Sequence, residues 1–150
     1  MKFLFLAISL VTFLIEIPDD KKKIIWNQNY QLEWTDFKGK VDQKSDYGAI
    51  TSSGISTSYE FKKDSILFKV IAVFYKQDSW TKESLQSELG LKHEQVHFDI
   101  TEIAARRLRK RLREEVFHRE DVVEKFKSIK KEILNEKQES SLFCHSYRRR

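Results

Sequence analysis

The chain has 150 residues, of which 40% are hydrophobic and 13% aromatic, so it can bury one sizeable core and is not an intrinsically disordered protein. This length favours one domain over two. The single cysteine, Cys144, excludes an internal disulfide. The net charge of +5 comes from residues 101–150, which hold 15 Lys and Arg against 9 Asp and Glu.

A short apolar run stands at the N-terminus. Lys2 precedes 13 mostly apolar residues, Phe3 to Ile15, and Glu16 and Pro18 follow them. A membrane-spanning helix needs roughly 20 apolar residues, so the run fits the hydrophobic region of a secretory signal better. Because no small-x-small cleavage signature follows it, we expect residues 1–18 to be a signal peptide or a short anchor. The protein is therefore predicted to be secreted, periplasmic or attached to the cell envelope.

Alternating apolar and polar residues predict strands in the first half of the chain. Tyr30 to Trp34 has the pattern of a half-buried strand, and Ile50 to Phe61 has the same pattern over a longer stretch. Ser65 to Tyr75 is apolar on both faces, which is typical of a strand buried on both sides. With a turn at Lys62-Lys63-Asp64, the last two stretches predict a β-hairpin whose second strand is central.

From about Glu83 the apolar residues recur at nearly four-residue spacing, which predicts a long helix. A second amphipathic helix is predicted from Glu120 to about Lys137, and residues after 138 show no period. Strands followed by helices indicate an α+β fold, with a small antiparallel sheet packed against a long helix and a second, C-terminal helix.

The predicted long helix contains the sequence His93-Glu94-Gln95-Val96-His97, which matches HExxH. Side chains at positions i and i+4 of a helix point the same way, so two neutral imidazoles can bind one zinc ion, and the glutamate can act as the general base toward water. A chain of this composition contains the pattern by chance in about 1% of cases. We therefore predict that His93 and His97 bind Zn²⁺ and that Glu94 is the catalytic base.

A helical wheel places these residues relative to the rest of the predicted helix. With His93 at 0° and about 100° per residue, His97 lies near 40°. Four small or apolar residues lie within about 100° of His93: Ile100, Ala104, Leu108 and Leu112. Six polar residues lie between about 160° and 240°: Gln95, Asp99, Glu102, Arg106, Arg109 and Arg113. We therefore expect both histidines in the middle of the buried face and Asp99 and Glu102 on the solvent side.

Taken together, these residues resemble a bacterial family called domain of unknown function 922, whose members are described as predicted secreted zinc-dependent proteases. The resemblance covers roughly residues 30–135. It is carried by three stretches: Trp34-Thr35-Asp36-Phe37-Lys38-Gly39, Ser79-Trp80, and Leu91 to Ile100 continuing to Ala105-Arg106. It implies a zincin-like metallopeptidase domain over residues 19–138 and a peptide or protein substrate in the cell envelope.

Residues 139–150 do not match that family. Its members continue with a Tyr-Asp pair, a Thr and a His, and then a helix with Gln and Trp, and a truncation or a shifted reading frame would explain the different end here. A catalytic zinc normally has three protein ligands, so the third ligand stays open. The downstream candidates are Glu114, Glu115, His118, Glu120, Glu124, Glu132 and His145. We expect two histidines completed by water, weak zinc binding and little peptidase activity.

Two other functions compete with a hydrolase. An inactive or truncated relative would be a non-catalytic binding module of the envelope, and the unmatched C-terminus favours it. The basic run from Arg106 to Arg113 could bind nucleic acid or an anionic polymer, although such runs are more often a solvated helix face. Export argues against nucleic acid, so we expect no nucleic-acid partner.

The apolar N-terminus leads to a prediction about export. A reporter fused after residues 1–30 should leave the cytoplasm, either cleaved or tethered to the membrane, because a charged start followed by a short apolar run is what the secretory machinery recognises. Cell fractionation measures this. A reporter found entirely in the cytosol would contradict the predicted localisation.

Overall fold

A computed structural model describes residues 22–63 and 65–147, with side chains described as far as Cys144. The predicted signal or anchor at residues 1–18 lies outside the described residues. The strands and helices, in chain order, are β1 (Lys23–Ile25), β2 (Ala49–Ile50), β3 (Ser53–Phe61), β4 (Ile66–Tyr75), β5 (Trp80–Thr81), α1 (Glu88–Glu114) and α2 (Val122–Tyr147).

The main sheet has three antiparallel strands in the order β1-β4-β3. The hairpin of β3 and β4 pairs Phe61 with Ile66 at the turn and Ser53 with Phe74 at the far end, so the predicted hairpin with a central second strand is confirmed. β2 and β5 form a separate two-stranded sheet. Both helices follow the strands, and α1 packs against β3, β4 and α2. The α+β class is therefore confirmed.

The strand predicted for Tyr30 to Trp34 is wrong. This stretch is irregular and leads into a short 3-10 turn at Trp34–Asp36, where the buried Asp36 carboxylate accepts hydrogen bonds from the Tyr30 hydroxyl and the Glu33 amide. Burial, and then the hydrogen bond to Asp36, raises the pKa of Tyr30 to about 12. The partner of β4 comes from Lys23–Ile25 instead, because that segment reaches the open edge of β4.

Helix α1 begins at Glu88, later than predicted, because Ser87 caps it by accepting a hydrogen bond from the amide of Gly90 at 3.0 Å. Its buried residues are Gly90, Glu94, His97, Phe98, Thr101, Glu102, Ala104, Ala105, Leu108 and Leu112. On the wheel that face is centred about 100° from His93, at Glu94. His93 is therefore only half-buried at its border, and the expectation that both histidines occupy its middle is wrong.

The polar side of α1 is covered in part: Arg106 and Arg113 are exposed as expected, but Gln95, Asp99 and Glu102 are not. Gln95 accepts a hydrogen bond from the backbone amide of Leu32 at 2.8 Å, and Asp99 accepts one from the Trp26 indole at 2.8 Å. Glu102 is buried, with 7% of its surface exposed. The wheel could not show this because the irregular segment before β2 packs on that side of the helix.

Helix α2 continues to Tyr147, so residue 138 is not a structural boundary. Its first half packs into the core through Val122, Ile129 and Ile133. Between residues 134 and 144, where the side chains are described, one narrow stripe that includes Ser141 and Cys144 is partly buried, and the neighbouring residues are exposed. This stripe is too narrow to give an apolar period, which is why the sequence pattern stopped at 138.

The burial of Glu102 leads to a prediction about stability. Arg109 donates hydrogen bonds to the Glu102 carboxylate at 2.6 Å, within α1, and to the Val70 carbonyl of β4 at 2.8 Å, so Arg109→Ala removes one contact inside the helix and one between α1 and β4. The Arg109 side chain is about one-third exposed, so we expect a loss of about 1–2 kcal/mol in the free energy of unfolding, measured with urea. Arg113→Ala, an exposed control on the same helix, should change it by less than about 0.5 kcal/mol. Equal effects would contradict the assignment.

Candidate metal centre

His93 and His97 lie one turn apart on α1, and their rings converge. Their Nε2 atoms are 3.1 Å apart, and the two ring planes are nearly perpendicular at 87°. This convergence is expected for side chains at positions i and i+4 of a helix. Two nitrogens at the zinc bond length of 2.0–2.1 Å and a tetrahedral angle would be about 3.3 Å apart. The observed separation is close to that value, and it is also an ordinary hydrogen-bond distance between two imidazole nitrogens.

The Nδ1 atoms on the opposite side of both rings contact helix α2. Ser141 Oγ lies 3.1 Å from His97 Nδ1, and Cys144 Sγ lies 3.8 Å from His93 Nδ1. Neither α2 residue was singled out from the sequence. The available signal was their spacing of three residues, which places both on one face of a helix, but no apolar period indicated that a helix was there.

Glu94 is the most buried of the three motif residues, with 3% of its surface exposed. Glu94 and His97 line a cavity of about 80 Å³, together with Thr51 from the loop before β3 and Ser141 from α2. The backbone carbonyl of Glu94 also accepts a hydrogen bond from the Thr51 hydroxyl at 3.3 Å. The carboxylate is thus positioned between the helix and the strands, next to the histidine pair.

A lysine from α2 lines the same cavity. Lys137 donates a hydrogen bond to the backbone carbonyl of Ser53 at 2.8 Å, and burial lowers its pKa. The pKa of the Cys144 thiol is shifted in the opposite direction: burial, and then the negative charge of Glu94, raises it. The site therefore combines a cationic group near the carboxylate with a thiol that favours its protonated form.

A larger apolar cleft lies on the other side of the motif. It has a volume of about 630 Å³ and is lined by His93, Val96, Ile100, Phe143 and Cys144, among others. His93 therefore faces the large apolar cleft, whereas His97 faces the small cavity with Glu94.

The donor set suits zinc, which binds imidazole nitrogen and cysteine sulfur. Within residues 22–63 and 65–144, one group of three metal-capable side chains is present, formed by His93, His97 and Cys144, with ligand atoms within 4.8 Å of one another. The group does not include the predicted candidates Glu114, Glu115, His118, Glu120, Glu124 and Glu132. Glu115 pairs with Lys125, and Glu132 pairs with Arg111. The side chain of His145 lies outside the described residues.

The two histidines have hydrogen-bond partners without a metal. In the described part of the chain, no buried side-chain nitrogen or oxygen lacks a hydrogen-bond partner. The ring nitrogens contact each other, Ser141 and Cys144. The case for a metal therefore depends on the convergence of the two Nε2 atoms.

Comparisons of this chain with protein-family models, with curated proteins and with solved structures found no match.

Proposed function

We propose that this chain is a zinc-dependent metallopeptidase of zincin-like architecture, related to the family called domain of unknown function 922. In this proposal His93 and His97 hold the zinc ion through Nε2, and Glu94 is the general base. The observation that carries it is the 3.1 Å separation of the two Nε2 atoms on one helix, with the buried Glu94 beside them. The HExxH pattern supports it independently.

The chemistry divides between the ion and the protein. When bound, zinc supplies Lewis-acid activation of the scissile carbonyl and lowers the pKa of the attacking water. Glu94 takes the proton of that water on a carboxylate oxygen and then gives it to the leaving amine. The ammonium of Lys137 lines the same cavity and favours negative charge that develops there.

The position of the strands supports a peptide substrate. Ala49, Ile50 and Thr51 line the small cavity beside Glu94, and β3 is an edge strand of the main sheet. An extended peptide can add to such an edge through backbone hydrogen bonds. The apolar cleft beside His93 would then accept a large apolar side chain of the substrate.

The proposed substrates are peptides or proteins of the cell envelope, which requires export by residues 1–18. Among the residues that the structure describes, no helix is both long enough and apolar enough to cross a bilayer. The proposed site of membrane attachment is the N-terminal apolar run.

A non-catalytic binding module is the second candidate. The observation that favours it is that no acidic or histidine side chain in the described part of the chain joins His93 and His97 as a third ligand. Zinc binding without chelator-sensitive hydrolysis would support this second function.

Replacing the base tests the proposed hydrolysis. Glu94→Gln keeps the shape of the side chain but cannot accept the proton, so any chelator-sensitive cleavage of a mixed peptide library by the full chain with added zinc should fall by about 100-fold or more. Mass spectrometry of the products measures it. Glu88→Gln, an exposed control on the same helix, should leave the rate unchanged. Undiminished cleavage by Glu94→Gln would show that Glu94 is not the base.

Zinc binding provides a separate test. A structural zinc site with four ligands gains 10–16 kcal/mol, or roughly 3 kcal/mol per ligand, so His93→Ala should weaken zinc affinity by about 100-fold. Competition with a chromogenic chelator measures the affinity. The control His118→Ala replaces an exposed side chain in the loop before α2 and should have no effect. If His93→Ala also had no effect, the histidine pair would not be the zinc site.

A further inference from the structure

The C-terminal part of α2 contacts the Nδ1 atoms of both histidines through Ser141 and Cys144. We propose that Ser141 and Cys144 are positioning residues: each can accept a hydrogen bond from Nδ1 of its histidine, His97 and His93 respectively, so that both Nε2 atoms can present lone pairs to a metal ion. This inference deepens the proposed zinc site and rests on it, but it does not depend on hydrolysis.

A neutral imidazole carries one N–H and one lone pair, on different nitrogens. The 3.1 Å contact between the two Nε2 atoms therefore needs an N–H on one ring and a lone pair on the other. When both rings are neutral and no metal is bound, the two histidines are consequently opposite tautomers. The hydrogen bonds then form a chain from Cys144 through His93 and His97 to Ser141, and it can run in either direction.

Metal binding imposes a different requirement. Both Nε2 atoms must offer lone pairs, so both rings must carry their proton on Nδ1. The ring that held the proton on Nε2 transfers it to Nδ1, and the pair as a whole neither gains nor loses a proton. Each Nδ1–H then needs an acceptor, which is Ser141 Oγ for His97 and Cys144 Sγ for His93.

Hydroxyl and thiol groups suit this change because each can donate or accept. Rotation of the O–H or S–H bond lets the same side chain serve both states without any movement of α2. The two contacts differ in strength, because an oxygen at 3.1 Å is a better acceptor than a thiol sulfur at 3.8 Å. Ser141 should therefore contribute more than Cys144.

The geometry favours this role for Cys144 over direct metal ligation. Its sulfur makes its hydrogen-bond contact with Nδ1 of His93, whereas the two Nε2 atoms converge from the other edge of each ring. An ion bound to both Nε2 atoms would therefore use a different nitrogen of His93 from the one that Cys144 contacts.

Zinc affinity measured by chelator competition on the full chain tests the proposal. Loss of a second hydrogen-bonding partner of a ligand histidine typically weakens metal affinity by 10–100-fold, so we expect about a tenfold loss for Ser141→Ala. Ser141→Thr should restore most of it because the hydroxyl is retained. Ser140→Ala is the matched control, since the Ser140 hydroxyl bonds to the Glu136 carbonyl within the helix. Equal affinities for all four proteins would overturn the proposal.

The tautomers are read directly from ring ¹⁵N shifts in long-range ¹H–¹⁵N NMR of the metal-free chain at about pH 8, well above the ordinary histidine pKa of about 6.5. We expect the two rings to hold opposite tautomers, and the tautomer populations at His97 to change in Ser141→Ala because its Nδ1 loses the hydroxyl partner. Identical ring shifts in the two proteins would overturn the proposal. This readout works even if the chain binds no zinc, so failure of the proposed function is distinguishable from failure of this inference.

Replacing zinc with cobalt distinguishes a Cys144 that only positions His93 from a Cys144 that binds the metal directly. If the cysteine only positions His93, the Co²⁺-loaded chain lacks an intense sulfur-to-cobalt charge-transfer band, and Cys144→Ser changes zinc affinity by less than about tenfold. A strong band that disappears in Cys144→Ser would make Cys144 a ligand and overturn its proposed role.

Discussion

The ring of Phe98, one residue beyond His97, packs against Phe74 in the central strand β4, with ring centroids 5.7 Å apart. Both rings are almost completely buried, and a helix residue fixed in this way determines the rotation of α1 about its own axis. Glu102 and Arg109 hold the same rotation further along, through the backbone carbonyl of Val70. All positions of the HExxH motif depend on this rotation, because 100° separates each residue from the next.

With that rotation, Glu94 points most directly into the protein and the two histidines lie toward α2. The motif therefore has three kinds of neighbour. The Glu94 carbonyl contacts Thr51 in the segment before β3, His93 lines the apolar cleft, and both imidazole rings contact the end of α2. A motif defined by five consecutive residues thus becomes a site only when distant segments pack around it.

The sequence predicted the features that depend on local periodicity. The hairpin of β3 and β4, the helix carrying His93 and His97, and the convergence of their rings all follow from spacing of two or four residues. It failed where a non-local partner decides the outcome. Tyr30 to Trp34 alternates like a strand, but the buried Asp36 holds it as a turn, and Glu102 looks exposed on a wheel because the wheel contains no neighbouring strand. The contacts of Ser141 and Cys144 were missed for the same reason, since a single polar stripe gives no apolar period.

His97 and Ser141 are 44 residues apart in the sequence but in hydrogen-bond contact. Bringing the ends of such a segment together costs chain entropy of about 3 kcal/mol plus a constant, if the cost grows as (3/2)RT ln n. The packing of α2 in the core through Ile129 and Ile133 already brings the helix beside α1. The last turns of α2 therefore reach the rings with little further loss of chain entropy. Coupling of this kind is reciprocal. If these contacts strengthen the binding of a ligand to the rings, then the bound ligand stabilises the packing of the helix end by the same free energy. In the proposed metal-bound state, the last turns of α2 would therefore be more stable than in the metal-free protein.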